Sequence, residues 1–256
     1  MYHRAYGPSP SSLAPVVVVH GGPGAPGSVG ALAQLIADPL FVLEPWQRAS
    51  GDTRLTVARH IADLADFVGQ RCARPPLLVG HSWGAMLVLA FAAAHPRLAA
   101  AIALVACGTF DLEARAVFQR AVRDRVPRGV DLDALPEQEW RAIIDDIYAL
   151  DPLPADPLDR SEIDRRASEE SWSDMTRLQA EGIYPAAFAA ITCPVLMLHG
   201  TDDPHPGPLI RASLAAFVPQ LDYRELRSCG HDPWRERSAR TEFAALLRAW
   251  LLDRAT

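Results

Sequence analysis

Ser82 stands at the centre of Gly80-His81-Ser82-Trp83-Gly84, a G-x-S-x-G spacing. That pentapeptide suits a strand-to-helix turn so sharp that the central residue is held in a strained backbone conformation. Glycine at each end leaves room for the strand and helix to cross. A serine hydroxyl is barely nucleophilic at neutral pH, so it needs a base within hydrogen-bond reach and a carboxylate to orient that base. Of the eight histidines, His231 falls in the loop Cys229-Gly230-His231-Asp232-Pro233-Trp234, between the last expected strand and the last expected helix. In an α/β sheet that edge is where chemistry collects. His20, His81 and His199 also end strands, but the elbow should turn His81 away from its neighbour; His3, His60, His95 and His205 read as surface or packing residues. The turn Gly200-Thr201-Asp202-Asp203-Pro204 offers the carboxylate. A second glycine-rich turn, His20-Gly21-Gly22-Pro23-Gly24, lets backbone N–H groups face a cavity unobstructed, as a developing oxyanion requires.

Those groups need a scaffold, and the hydrophobic periodicity supplies one. Residues 15–19 carry four consecutive valines, suited to a central parallel strand covered on both faces. The pattern then predicts a helix over 29–37, a strand over 40–43, a loop at 46–51 and a helix over 55–68. Residues 77–79 enter the elbow as a buried strand, and 86–94 leave it as a helix apolar on every face. A strand at 101–106 follows. From 111 to 191 no strand pattern appears; helices at 114–125, 137–150 and 162–178 are divided by a proline-rich joint at 151–157. The arginines between Arg115 and Arg128 read as a solvated helix face. Strands return at 194–198 and 221–226 around a helix at 209–217. The chain closes on a helix whose Phe243, Leu246, Leu247, Trp250 and Leu251 form one apolar stripe. Alternating β and α on both sides of a helical insert predicts a doubly wound, mostly parallel sheet: core 1–108 and 192–256, helical lid 109–191.

Length and charge narrow the partners. A chain of 256 residues, about half apolar, suits one domain with one insertion. A net charge of -6 argues against a nucleic-acid partner, which needs a basic face. All the Lys+Arg charge is arginine, which points to nucleotide composition rather than mechanism. Neither a signal peptide nor a membrane span is legible, so a cytoplasmic protein without a membrane partner is expected. Cys72, Cys107, Cys193 and Cys229 lack metal-ligand spacing and read as reduced thiols; Cys107 and Cys229 fall near the catalytic candidates. Neither a metal nor a cofactor is expected.

With these motifs in hand, the chain resembles the α/β-hydrolases over nearly its whole length, in the order serine, acid, histidine. The resemblance implies an α/β-hydrolase fold with its lid inserted after the sixth strand. It also implies Ser82 as nucleophile, His231 as base, and Asp203 rather than Asp202 as acid, because the family's G-x-x-D turn begun at Gly200 ends there. Asp111 is the alternative, since some members place the acid before the lid. His20 to Gly24 and the Ser82-Trp83-Gly84 triplet are similar to the proline iminopeptidase branch, which implies oxyanion donors at the N–H groups of Gly22 and Trp83. Against that branch, Trp46 replaces an acid, Ala49 replaces a glycine, the N-terminal hairpin is shortened or missing, and the lid is small.

The leading expectation is a serine hydrolase acting on an ester or amide bond of a small molecule through an acyl-enzyme on Ser82. An iminopeptidase-like aminopeptidase, an acyltransferase or thioesterase, and a non-catalytic binding protein on the same scaffold are the alternatives. An aminopeptidase must match its substrate's ammonium with carboxylates, because burying that charge unpaired is costly. The lid acids that qualify are Glu169, Glu170 and Asp174, around Trp172. Glu170 and Asp174 share a helix face, while Glu169 points about a quarter-turn away.

Overall fold

Val16–Val19 is buried along its whole length because it runs through the middle of a seven-stranded sheet. In the computed structural model, residues 1–8, 12–131, 134–159 and 163–256 are described. In chain order the elements are β1 (His3–Tyr6), β2 (Val16–Val19), α1 (Gly30–Ile36), β3 (Val42–Pro45), α2 (Val57–Arg71), β4 (Leu77–His81) and α3 (Trp83–Ala94). There follow β5 (Ala101–Val105), α4 (Leu112–Arg125), α5 (Glu137–Tyr148), α6 (Arg165–Ala180), β6 (Val195–Gly200), α7 (Gly207–Ala215), β7 (Leu221–Leu226) and α8 (Arg240–Arg254). Short 3₁₀ turns lie at Pro157–Asp159 and Ala186–Ala190. The strand order is β1-β3-β2-β4-β5-β6-β7, with β1 antiparallel and the rest parallel.

Strand side chains alternate between faces, and that alternation builds two cores. Val17, Val19, Leu78, Ile102, Leu104 and Met197 pack with α2, α3 and α7. Val16, Val18, Leu77, Val79, Ala103 and Leu198 pack with α1 and α8. Each fully buried Val or Leu stabilises the fold by roughly 1.5–3 kcal/mol relative to exposure. Helix α3 is buried from Trp83 to Ala92 because Phe188 and Ile191 join its cluster on the side away from the sheet. This accounts for its lack of a polar face.

Three expectations shift. The strand expected at 40–43 is Val42–Pro45; Leu40 fills the core from the loop, and Pro45 is accommodated because β2 pairs only with Val42 and Leu43. The insertion follows the fifth strand rather than the sixth, because among the described residues β1 alone precedes Val16–Val19. In α8, Phe243, Leu247 and Leu251 are buried, but Leu246 faces solvent. Within the insertion, α4, α5 and α6 match the expected helices to within a few residues. The expected start of the last, at residue 162, lies outside the described residues. Its one β contact among described residues is an isolated bridge from Pro152 to Glu236. No helix of the described residues is long and apolar enough to cross a membrane.

Candidate active site

The elbow at Ser82 is strained in the way its sequence requires. Ser82 sits at φ 53 and ψ -118 between β4 and α3, its N–H donating to the Val105 carbonyl at 2.9 Å. A Cβ on Gly84 would lie 2.1 Å from the Val19 carbonyl oxygen, and one on Gly80 would lie 2.4 Å from that of Gly84. Both contacts are with backbone that cannot yield, so only glycine fits. The Trp83 N–H opens α3 and therefore has no acceptor within its own helix.

Across the sheet edge, the loops after β6 and β7 bring His231 to Asp203. His231 Nδ1 lies 2.7 Å from Asp203 Oδ2. The other carboxylate oxygen accepts the His205 N–H at 2.8 Å and faces His205 Nδ1 at 3.0 Å. His199 approaches the carboxylate at 3.3 Å and donates Nε2–H to the His205 carbonyl at 2.9 Å. Burial alone would raise the Asp203 carboxyl, but the imidazoles of His231, His199 and His205 hold it well below the usual carboxylate range. The ionised carboxylate requires a proton on His231 Nδ1, which leaves Nε2 as a free acceptor. Burial keeps the His231 imidazole below its ordinary value despite the Asp203 charge, and His205 and His81 push it the same way.

The rings around His231 set its plane. His205 stacks on it at 4.7 Å and 22°, Phe118 stacks on the far side of His205 at 4.1 Å and 17°, and Tyr148 meets it edge-on at 4.9 Å. The loop is tied to the insertion: the His231 N–H donates to the Tyr148 carbonyl at 2.8 Å. Buried Glu236 accepts N–H groups of Gly230, Leu150 and Asp151 at 3.0, 2.9 and 2.8 Å. Ser82 and His231 line one cavity of about 630 Å³, with Gly21, Gly22, Trp172, Trp140, Phe118 and Trp234 among its walls. Among the described residues the Ser82 hydroxyl makes no hydrogen bond to His231; in unliganded sites such contacts are commonly long and close on substrate.

The second glycine turn is held from behind by His20. Its Nε2 accepts the Gln47 N–H at 2.9 Å, so the proton resides on Nδ1, which donates to the Gly21 carbonyl at 2.9 Å. Gln47 in turn donates to the His20 carbonyl and accepts the Trp83 indole N–H at 3.0 Å, linking turn to elbow. Full burial lowers His20 to about 4, which keeps it neutral. Gly22 takes φ +44, and a Cβ there would meet only Ala25, so its backbone faces the cavity unobstructed.

Of the other expected substrate-binding residues, one lies in the cavity and the rest are held by the fold. Trp172 lines the cavity and meets Trp83 edge-on at 5.2 Å. Glu170 and Asp174 are not cavity residues: their carboxylates accept the N–H groups of Leu55 and Val57, both at 2.8 Å, where α2 begins. The open donors of that helix start, together with Arg166 and Arg177, account for the shared face of these acids. Asp111 caps α4, accepting the Ala114 N–H at 2.8 Å. The Asp202 carboxylate accepts the neighbouring Thr201 hydroxyl and is half-buried. Ring His81 turns to Asp232 at 3.1 Å and to the His231 carbonyl at 3.2 Å. Burial pushes the Cys107 and Cys229 thiols up, which disfavours their thiolate forms.

Sequence reasoning missed His205, Glu236 and Arg115. His205 follows two residues after Asp203, a spacing from which a turn side chain can fold back on its own carboxylate. Arg115 was expected on a solvated face, but with Phe118 and Gln119 it lines the cavity. Arg125, expected there too, donates to the carbonyls of Ile147 and Asp202.

A strained serine at the carboxyl edge of a doubly wound sheet, with a His–Asp pair across the same cavity, defines an enzyme of the hydrolase class. The chain belongs to the alpha/beta hydrolase family, whose model matches residues 16–246. No curated protein matches the sequence. Solved structures similar to it include VinJ, 19% identical over 98% of this chain and 94% of that one, with a TM-score of 0.70. A thermophilic esterase from Thermogutta terrifontis is 20% identical over 100% and 94%, TM-score 0.66. Paleococcus ferrophilus monoacylglycerol lipase is 20% identical over 99% and 98%, TM-score 0.63. At these identities the likeness is one of fold.

Proposed function

We propose that the protein is a serine hydrolase that cleaves an ester or amide bond of a small molecule through an acyl-enzyme on Ser82. The observation that carries this reading is the 2.7 Å His231–Asp203 contact, which leaves His231 Nε2 an acceptor facing the cavity that Ser82 shares. Ser82 Oγ attacks the carbonyl carbon while His231 Nε2 takes its proton; the imidazolium is stabilised by Asp203 and then protonates the leaving group. The carbonyl oxygen gains charge and is held by the N–H groups of Gly22 and Trp83. Water, activated by the same imidazole, resolves the acyl-enzyme. The insertion from 109 to 191 acts as the lid, excluding solvent and shaping the acyl pocket.

The glycine turn resembles the proline iminopeptidase branch, but aminopeptidase specificity is not favoured, because Glu170 and Asp174 are spent on the start of α2. A short acyl p-nitrophenyl ester is therefore cleaved with higher kcat/KM than prolyl p-nitroanilide, each normalised to its uncatalysed rate. Fluorophosphonate labelling supplies the direct test: Ser82 is labelled in the parent, not in Ser82→Ala, and only slowly in His231→Ala. An inert parent would overturn the hydrolase reading in favour of a binding protein. A preference for the prolyl amide that disappears in Glu170→Gln would restore the aminopeptidase.

A further inference from the structure

We infer that the cavity holds an anion subsite at Arg115, and that the substrate of the proposed hydrolase carries a carboxylate remote from the bond cleaved. The substrate assignment rests on the hydrolase reading; the subsite itself does not. Arg115, Phe118 and Gln119 share one face of α4 and all line the cavity that contains Ser82. The Arg115 guanidinium is held from behind by a neutral partner. It donates to Gln179 Oε1 on α6, and the Gln179 amide is fixed by donating its own N–H to the Thr109 carbonyl at 2.9 Å. Among the described residues no carboxylate pairs with Arg115. Asp111, one turn earlier, is committed to capping α4.

Among the described residues the other arginine on the cavity wall is matched by carboxylates. Arg235 pairs with Asp145 at 3.2 Å and Asp232 at 3.3 Å, and Asp232 also takes His81 at 3.1 Å. Asp159 accepts the Ala31 N–H at 2.7 Å and the Trp234 indole N–H at 3.0 Å, and burial raises its carboxyl to about 6. Arg115 is thus, among the described residues, the cavity arginine without a carboxylate partner, in a wall otherwise made largely of Trp140, Trp172, Phe118, Tyr148 and Trp234. It is half-buried, so water solvates it while the cavity is open. A ligand that fills the cavity removes that water and must replace it, and a carboxylate does so best because it accepts two parallel N–H bonds from the planar guanidinium. A neutral ligand would leave the cation desolvated and unpaired.

The carboxylate has two sources, the acyl chain or the leaving group, and separate arms distinguish them. Binding is measured calorimetrically on full-length Ser82→Ala protein, which cannot turn over, with monomethyl suberate against dimethyl suberate. The monoanion is expected to bind about tenfold or more tightly, a preference lost in Ser82→Ala/Arg115→Gln and partly kept in Ser82→Ala/Arg115→Lys, while dimethyl suberate binds at least as tightly once the arginine is gone. Turnover is then compared for p-nitrophenyl octanoate, mono-p-nitrophenyl suberate (acyl side) and 4-octanoyloxybenzoate (leaving-group side). Arg115→Gln lowers kcat/KM about tenfold for one of the charged esters and does not lower it for the neutral ester. Equal binding of monoanion and diester, or a substitution that weakens both alike, overturns the subsite. A charged ester that never responds in either arm overturns the substrate assignment. Retained discrimination in binding with no fluorophosphonate labelling of Ser82 sinks only the hydrolase reading, and labelling without discrimination sinks only the subsite.

Discussion

Replacing Asp203 with asparagine changes one atom and should cost about four orders of magnitude in kcat. The side chain now serves two donors on Oδ1, the His205 N–H at 2.8 Å and His205 Nδ1 at 3.0 Å, and one on Oδ2, His231 Nδ1 at 2.7 Å. Asparagine keeps a single carbonyl oxygen. Two donors hold that oxygen on the His205 side, so the NH₂ group is turned toward His231 Nδ1. Two N–H groups cannot face each other at that distance, and the ring answers by moving its proton to Nε2. A ring protonated at Nε2 has no lone pair for the Ser82 proton. The geometry survives while the base is lost, which in serine triads generally is worth roughly 10⁴ in kcat, or about 5.5 kcal/mol of barrier. Steady-state hydrolysis of a short acyl p-nitrophenyl ester reads the loss, with circular dichroism to confirm folding. Asp202→Asn is the matched control and should stay within about threefold, since the Asp202 carboxylate meets the Thr201 hydroxyl and not His231. An Asp203→Asn enzyme that keeps more than a tenth of parental kcat would refute this reasoning and move the acid to Asp111.

The remaining expectations concern pH and stability. His231 is held below its ordinary value, so kcat/KM should fall with decreasing pH only through an apparent pKa below 6.5, the neutral imidazole being the active form; a limb above 7 contradicts it. His205→Gln removes a ring that depresses His231 and a donor that shares Asp203, so the same limb should move upward, with Ser82 labelling retained at high pH. Gly84→Ala places a Cβ 2.1 Å from the Val19 carbonyl oxygen and should destabilise by about 3 kcal/mol or more in a denaturant titration; an unchanged midpoint would mean the elbow yields. Asp174→Ala uncaps the Val57 N–H and should lower stability by about 1 kcal/mol while kcat/KM for the acyl ester stays within twofold.

Local chemistry written into contiguous residues was legible without a structure. The elbow is forced by Gly80 and Gly84 on either side of Ser82, and the parallel strands by unbroken apolar runs such as Val16–Val19, because both depend on neighbours a few residues away. The fold class followed from the same periodicity. What escaped was whatever depends on which face of a lid helix turns inward. Glu170 and Asp174 share a face as helical spacing requires, yet whether that face meets a substrate or the start of α2 depends on how α6 docks, and docking is a property of two distant segments. Arg115 is the converse: inside a run of exposed arginines nothing local marks the one that α4 rotates toward Gln179 and the cavity. His205 looked like a packing residue until the turn after β6 folded its ring onto Asp203 and against His231, more than twenty residues on. Sequence therefore determined the candidate nucleophile's strained turn and the sheet beneath it. Tertiary structure alone decided which polar side chains were already satisfied by the fold and which, like Arg115, were left facing the cavity with charge to spare.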